Sequence, residues 1–211
     1  MKTRIPVVML LFLSVTSSFA QENQTFFKRN KSANENSFDG ALYIEVSPII
    51  EASIINKEWG TNLGGKGAVI VNQKWAVGGI GKGLVSENSF LGDNLDGEKE
   101  KDTRLNLNYG AGGLFVEYYL GLDRAFHLSF PLHVMAGGIS LKDEQKNTTI
   151  ESSALMIVEP GMNIEFNVAQ NFIPALHLSY RQVLANDLAN LTNGDISGLN
   201  LGLIIKFGHF K

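Results

Sequence analysis

The chain of 211 residues contains no cysteine, which excludes a disulfide-stapled scaffold, a thiolate metal site, a thiol nucleophile and a lipidated N-terminal cysteine. Charge is scarce: Asp, Glu, Lys and Arg make up 18% of the residues and the formal net is -3. Without a cluster of excess Lys and Arg there is no footprint for nucleic acid. Beyond residue 20 no apolar run approaches the roughly 20 residues of a spanning helix. No helical i, i+3, i+4 stripe persists either. What is abundant is glycine, 22 residues, and apolar side chains, 44% of the total.

The first residues read as an address. Lys2 and Arg4 form a positive start, residues 7–15 an apolar core, and Ser18-Phe19-Ala20 places small residues where a signal peptidase reads. The expectation is a cleaved secretory signal over 1–20. Residues 21–39, rich in Asn, Gln, Lys and Ser, carry no periodicity and are expected to be a flexible lead-in; Phe26-Phe27-Lys28-Arg29 reads as part of that loosely ordered tail, with a small interaction patch as the alternative.

From residue 40 to 211 the chain alternates apolar and polar residues in eight runs, at about 41–51, 63–72, 75–86, 105–120, 126–141, 151–168, 172–184 and 199–210. Phe126, Leu128, Phe130, Leu132 and Val134 share one face, and His127, Ser129, Pro131 and His133 the other. In the fourth run Leu105, Leu107 and Tyr109 have the opposite parity to Leu114, Val116 and Tyr118, which predicts a β-bulge at Gly112-Gly113. Connections at 72–74, 121–125 and 169–171 are short, whereas those at 52–62, 87–104, 142–150 and 185–198 are long and polar. An up-and-down meander then gathers the long loops at one end, the signature of an all-β, eight-stranded antiparallel transmembrane β-barrel. Trp75, Tyr118, Tyr119, Phe126, Phe166, Phe172, Phe207 and Phe210 fall at the short-turn end, where an interfacial aromatic girdle belongs.

The bulky apolar face is expected to point outward, because eight strands enclose an interior only wide enough for side chains. The opposite face holds Glu45, Glu51, Glu117, Glu159 and Glu165 with Lys66, Lys82, Arg181 and Lys206. Such groups must pair in a narrow lumen, which predicts a salt-bridge network filling the barrel in place of an open pore.

The glycine-rich first hairpin, residues 64–72 followed by 75–81, and the alternating final strand at 199–207 carry a resemblance. The chain from residue 40 on resembles the small outer-membrane barrels of the OmpA/OmpX type, and the hairpin is similar to that of outer-membrane barrel proteins of Bacteroidota. The resemblance implies a Gram-negative outer membrane and contact with its lipid and lipopolysaccharide. It also implies insertion by the barrel assembly machinery, which reads the last strand. Lys211, not an aromatic residue, ends the chain, so either Phe207 or Phe210 is the terminal aromatic.

Other motifs carry less. Gly78-Gly79-Ile80-Gly81-Lys82-Gly83 lacks the Ser or Thr and the following helix of a phosphate loop. His127-Leu128-Ser129 and His177-Leu178-Ser179 resemble the His-x-Ser element of outer-membrane lipid A deacylases, in which the pair faces lipid; here the alternation puts both pairs on the polar face. His133 joins two other histidines without carboxylate spacing for a metal. Asp93, Asp96, Glu98, Glu100 and Asp102 read as a solvated loop, and the sequons at Asn147 and Asn190 mean nothing in a bacterium. The expectation is therefore a non-enzymatic protein with no catalytic residue, cofactor or metal, whose long loops are structural, adhesive or partner-binding. A lipid-modifying enzyme, a narrow solute channel and a soluble barrel holding an apolar ligand are the alternatives.

Overall fold

A computed structural model describes residues 42–92, 103–144, 148–208 and 210. The expected signal and lead-in, the acidic stretch from Asp93 to Asp102 and Asn147 lie outside the described residues. The elements are β1 (Leu42–Ile55), β2 (Glu58–Val71), β3 (Trp75–Leu84), β4 (Asn88–Gly92), β5 (Thr103–Leu120), β6 (Phe126–Asp143), β7 (Thr149–Phe166), β8 (Phe172–Ala185), a one-turn helix α1 (Asn193–Ile196) and β9 (Gly198–Gly208).

Neighbouring strands pair antiparallel, and β1 pairs with β9 and β3 with β5, which closes the sheet into a ring. β3 and β4 both pair with β5 and form two halves of one stave, which gives a closed barrel of eight staves. Between the halves, Thr61 N–H donates to the Ser86 hydroxyl at 2.9 Å and the Thr61 carbonyl accepts from Val85 N–H at 2.9 Å. A side chain thus replaces a backbone acceptor where the stave kinks.

Three expectations need correction. The first connection, expected to be long over 52–62, is a two-residue turn at Asn56 and Lys57, both with positive φ (49° and 66°). Such a turn matches the twist of a hairpin, but Lys is not a residue that signals it, and β1 and β2 simply continue to meet there. Residues 88–92, expected within a loop, are β4. At Gly112-Gly113 there is no bulge: β5 keeps one continuous register with β6 from Leu105↔Asp143 to Leu120↔Leu128. The parity changed because the interior itself changes character along the strand. Leu105, Leu107 and Tyr109 are buried inside, whereas Leu114 is 70% exposed outside.

The lumen is layered accordingly. Next to the long connections it is lined by Ile55, Leu105, Leu107, Ile139, Leu141 and Val183, all buried. The loop after β8 adds buried Leu188, Leu191 and Ile196 to this apolar lid. Next to the short turns lie buried Ile70, Ala76, Leu122, Ile173 and Phe210. Between the two layers sit the charged residues. The outside carries the apolar coat, with Ile44, Val46, Phe130, Leu132, Leu176, Leu178, Leu201 and Leu203 all 40% or more exposed.

Glycines divide by face. A Cβ on inward-facing Gly78, Gly113 or Gly137 would lie 1.9–2.0 Å from a carbonyl oxygen of the adjacent strand, whereas one on outward-facing Gly110 would meet nothing within 4 Å. At these inward positions the closely curved wall excludes a side chain. Gly113→Ala is therefore expected to destabilise the barrel by about 2 kcal/mol or more. Gly110→Ala should be neutral or stabilising by about 0.5 kcal/mol, since it restricts the unfolded chain. Urea unfolding of the two variants in detergent micelles checks the contrast.

Candidate functional site

The most heavily constructed part of the molecule is the polar middle of the lumen. Strand alternation aims Glu45 and Glu51 from β1, Lys66 from β2, Lys82 from β3, Glu117 from β5, Glu159 and Glu165 from β7, Arg181 from β8 and Lys206 from β9 into the barrel, each at most 5% exposed. They sort into three groups.

The first centres on Glu117. Its Oε1 accepts from Lys206 Nζ at 2.7 Å, Asn163 Nδ2 at 2.7 Å and Ser129 Oγ at 2.5 Å, and its Oε2 accepts from Lys66. Lys206 also donates to Glu165 at 2.7 Å and to the Tyr119 hydroxyl at 3.0 Å, and that hydroxyl donates to Glu45 at 2.6 Å. Ser47 donates to Glu45, and His127 Nε2 lies 2.9 Å from Glu165. Glu117, Glu165, Glu45 and Lys206 are each bonded by more than one partner, the arrangement that lets ions persist away from water.

In the second group Lys82 donates to Glu51 at 2.8 Å and Glu159 at 2.7 Å, and Ser179 donates to Glu159 at 2.8 Å. His133 and His177 border the same carboxylates: His133 Nδ1 is 3.5 Å from Glu159, and His177 Nε2 is 3.5 Å from Glu51. The third group is built on Arg181. It was expected to join the salt bridges, but its guanidinium donates to neutral oxygens: the Ile196 carbonyl at 2.9 Å, the Ile54 carbonyl at 3.2 Å, the Tyr109 hydroxyl at 2.9 Å and Ser53 Oγ at 3.4 Å. Arg181 therefore ties the last long loop to the barrel wall.

That loop has its own local reason to fold. Thr192 caps α1, its hydroxyl accepting from Asp195 N–H while Asp195 accepts from Thr192 N–H at 2.9 Å. The side-chain and backbone hydrogen bonds from Thr192 hold the Asp195 carboxyl below its ordinary pKa. The cap therefore contributes fully above the usual aspartate range and fades as the pH falls through the lowered value.

Neither His-Ser pair forms a nucleophile with its base. Ser129 Oγ lies between Glu117 and Glu165, with its one proton to give to either, and Ser179 donates to Glu159. His127 meets Glu165, and His177 Nδ1 meets Asn163 Oδ1 at 2.5 Å. All four side chains are buried inside the barrel.

Outside, the aromatics of the short-turn end pair across strands: Trp75 with Tyr118 (ring centroids 4.8 Å apart), Phe126 with Phe166 (5.5 Å) and Phe172 with Phe207 (5.5 Å). Tyr119 and Phe210, expected in the same belt, turn inward and are 1% and 2% exposed. Strand parity dictates the first, since Tyr118 and Tyr119 are adjacent and must take opposite faces. The meeting of His133 and His177 with Glu51 and Glu159 was not anticipated. It brings together strands distant in sequence, and the only hint was that these residues share the inward parity.

Replacing Glu117 by Leu leaves Lys66 and Lys206 short of counter-charge and should lower stability by roughly 3–5 kcal/mol. By contrast Arg104→Ala, at a pair with Glu144 whose side chains are 65% and 43% exposed, should change it by less than about 0.5 kcal/mol. Denaturant midpoints of the two variants in micelles give the comparison.

No protein-family model matches the chain, and no curated protein sequence matches it. Solved structures do resemble it. The N-terminal β-barrel domain of Pseudomonas aeruginosa OprF is similar at 10% identity and TM-score 0.53, covering 81% of this chain and 99% of that one. Neisserial surface protein A is similar at 8% identity and TM-score 0.55, over 79% of this chain and 96% of that one. A major outer membrane protein from Thermus thermophilus matches at 13% identity and TM-score 0.50, over 78% of this chain and 98% of that one. A ring of eight antiparallel staves with every neighbour sequential, matched at nearly full length by these structures, is the fold of the small eight-stranded outer-membrane β-barrels.

Proposed function

We propose that the chain is a non-enzymatic integral protein of a Gram-negative outer membrane, whose filled barrel anchors the longer connections outside the cell for a structural, adhesive or partner-binding role. One observation carries the reading: an apolar exterior surrounds a lumen occupied by paired charges between two apolar layers. An exterior of exposed Ile, Leu, Val and Phe is costly in water and stable in lipid. The three aromatic pairs at the short-turn end suit the periplasmic interface, with lipid and lipopolysaccharide as the surrounding contacts.

The inward turn of both His-Ser pairs, with each serine bonded to a glutamate, favours a structural over a hydrolytic role for them. The outward Phe207 on β9 is the better terminal aromatic for the assembly machinery than the inward Phe210. A host among the Bacteroidota rests on the glycine pattern of the β2–β3 hairpin alone.

The purified barrel should need detergent, should migrate differently in gels before and after boiling, and should produce no stable porin-sized conductance in planar bilayers. A steady open-channel current would refute the filled lumen. Because β4 belongs to the wall, a deletion confined to residues 93–102 is the informative one. It should leave insertion and heat-modifiability intact and abolish binding of the cells to a surface or partner recognised by the intact protein.

A further inference from the structure

The second charge group contains atoms that the ion pairs do not use. Lys82 takes Oε2 of Glu51 and Oε1 of Glu159, while Glu51 Oε1 and Glu159 Oε2 have no hydrogen-bond partner among the described residues. His177 Nε2 is likewise without a hydrogen bond, as are both ring nitrogens of His133. All four side chains are buried. One donor atom each from Glu51, Glu159 and His177 lies within 4.8 Å of the others.

The protonation of His177 follows from its neighbours. Asn163 Nδ2 donates to Glu117 Oε1 at 2.7 Å and to Ser129 Oγ at 2.9 Å, so its Oδ1 is an acceptor. His177 Nδ1, 2.5 Å from that oxygen, must carry a proton and donate it. A neutral imidazole then has its lone pair on Nε2, aimed at Glu51 Oε1 at 3.5 Å and Glu159 Oε1 at 3.9 Å. Lys82 already bonds Glu51 Oε2 and Glu159 Oε1, which leaves that lone pair, Glu51 Oε1 and Glu159 Oε2 as buried acceptors without a donor, a costly arrangement that a second cation would relieve. Ligand bonds of about 2.1 Å in a tetrahedral site separate donor atoms by roughly 3.4 Å, close to the His177–Glu51 distance. An imidazole whose far nitrogen donates to an amide oxygen is also the outer-shell support that orients a metal ligand.

Among the described residues of the polar middle of the lumen, glutamates outnumber lysine and arginine. Five glutamates face Lys66, Lys82, Arg181 and Lys206, and Arg181 bonds neutral oxygens. We propose that Glu51, Glu159 and His177 form a structural site for a divalent transition cation of the zinc class inside the barrel, with His133 as an additional donor bordering it. The donor set of imidazole and carboxylate suits Zn2+ and Co2+ better than the all-oxygen cations. The ion would tie β1, β7 and β8 across the lumen, which goes beyond the anchoring role proposed above and does not depend on it. With apolar layers at both ends, loading belongs to folding and release from the folded barrel is slow.

The test is to refold the full chain from urea into detergent micelles with Co2+ or Zn2+, remove free metal, and measure bound metal by elemental analysis and the Co2+ visible spectrum. The expected result is about one ion per folded chain, tetrahedral Co2+ bands, and resistance to EDTA until the barrel is unfolded. His177→Gln, shown folded by heat-modifiable migration, should retain at least tenfold less metal. Equal retention by that variant would mean an ion held elsewhere and would overturn the proposal. If His177→Gln does not fold, the wild-type protein decides alone. Folded wild type without stoichiometric metal or tetrahedral bands overturns the site.

Discussion

The pairing of charge inside a closed ring is the constraint on which the rest of this structure rests. Ring closure gives β1 and β9 partners on both sides, but it also forces each inward side chain of eight staves into one narrow space. Glu117 shows how this is made stable, with two lysines, an asparagine and a serine bonded to a single carboxylate. Lys206 reciprocates by donating to Glu117, Glu165 and Tyr119. Because each partner serves several others, the network behaves as a unit and fixes the relative positions of β1, β2, β5, β7 and β9.

The apolar layers above and below complete that arrangement. They exclude water from the ion pairs, which strengthens the attraction while making every unpaired atom more costly. The loop after β8 takes part in the upper layer through Ile196, whose carbonyl accepts from Arg181, while the Asp195 carbonyl accepts from Asn56 N–H of the β1–β2 turn at 2.6 Å. A connection that reads as polar loop is thus partly wall and partly lid. The outer surface of the membrane band answers a different demand, and an outward glycine such as Gly110 is not required by crowding in the way Gly78, Gly113 and Gly137 are.

Much of this was legible in the alternation. Strands such as β6 and β8 begin at the residues the pattern marked, Phe126 and Phe172, because a side-chain period of two leaves little freedom once one face is apolar. The same rule correctly separated the exposed Phe130 from the buried His133. It failed where it assumed that the inside is polar at every height. Leu105 and Leu107 are apolar and inward, so the change of character at Gly112-Gly113 looked like a slipped register when the register is continuous. The turn at Asn56-Lys57 and the strand β4 were missed for a related reason: polar residues beyond the membrane band carry no alternation to read, although they go on pairing.

The sequence by itself determined the number of staves, their order and, where one face is apolar throughout as in β6 and β8, which side chains share a face, since these follow from local periodicity and from the impossibility of burying unpaired backbone in lipid. It also determined that charges would collect inside. Which charges meet was decided only by the tertiary structure. The lateral stagger of the strands sets Lys82 between Glu51 and Glu159, leaves Arg181 among neutral oxygens and turns His177 toward two carboxylates. No spacing along the chain encodes those meetings, because they join residues on opposite walls of a closed ring.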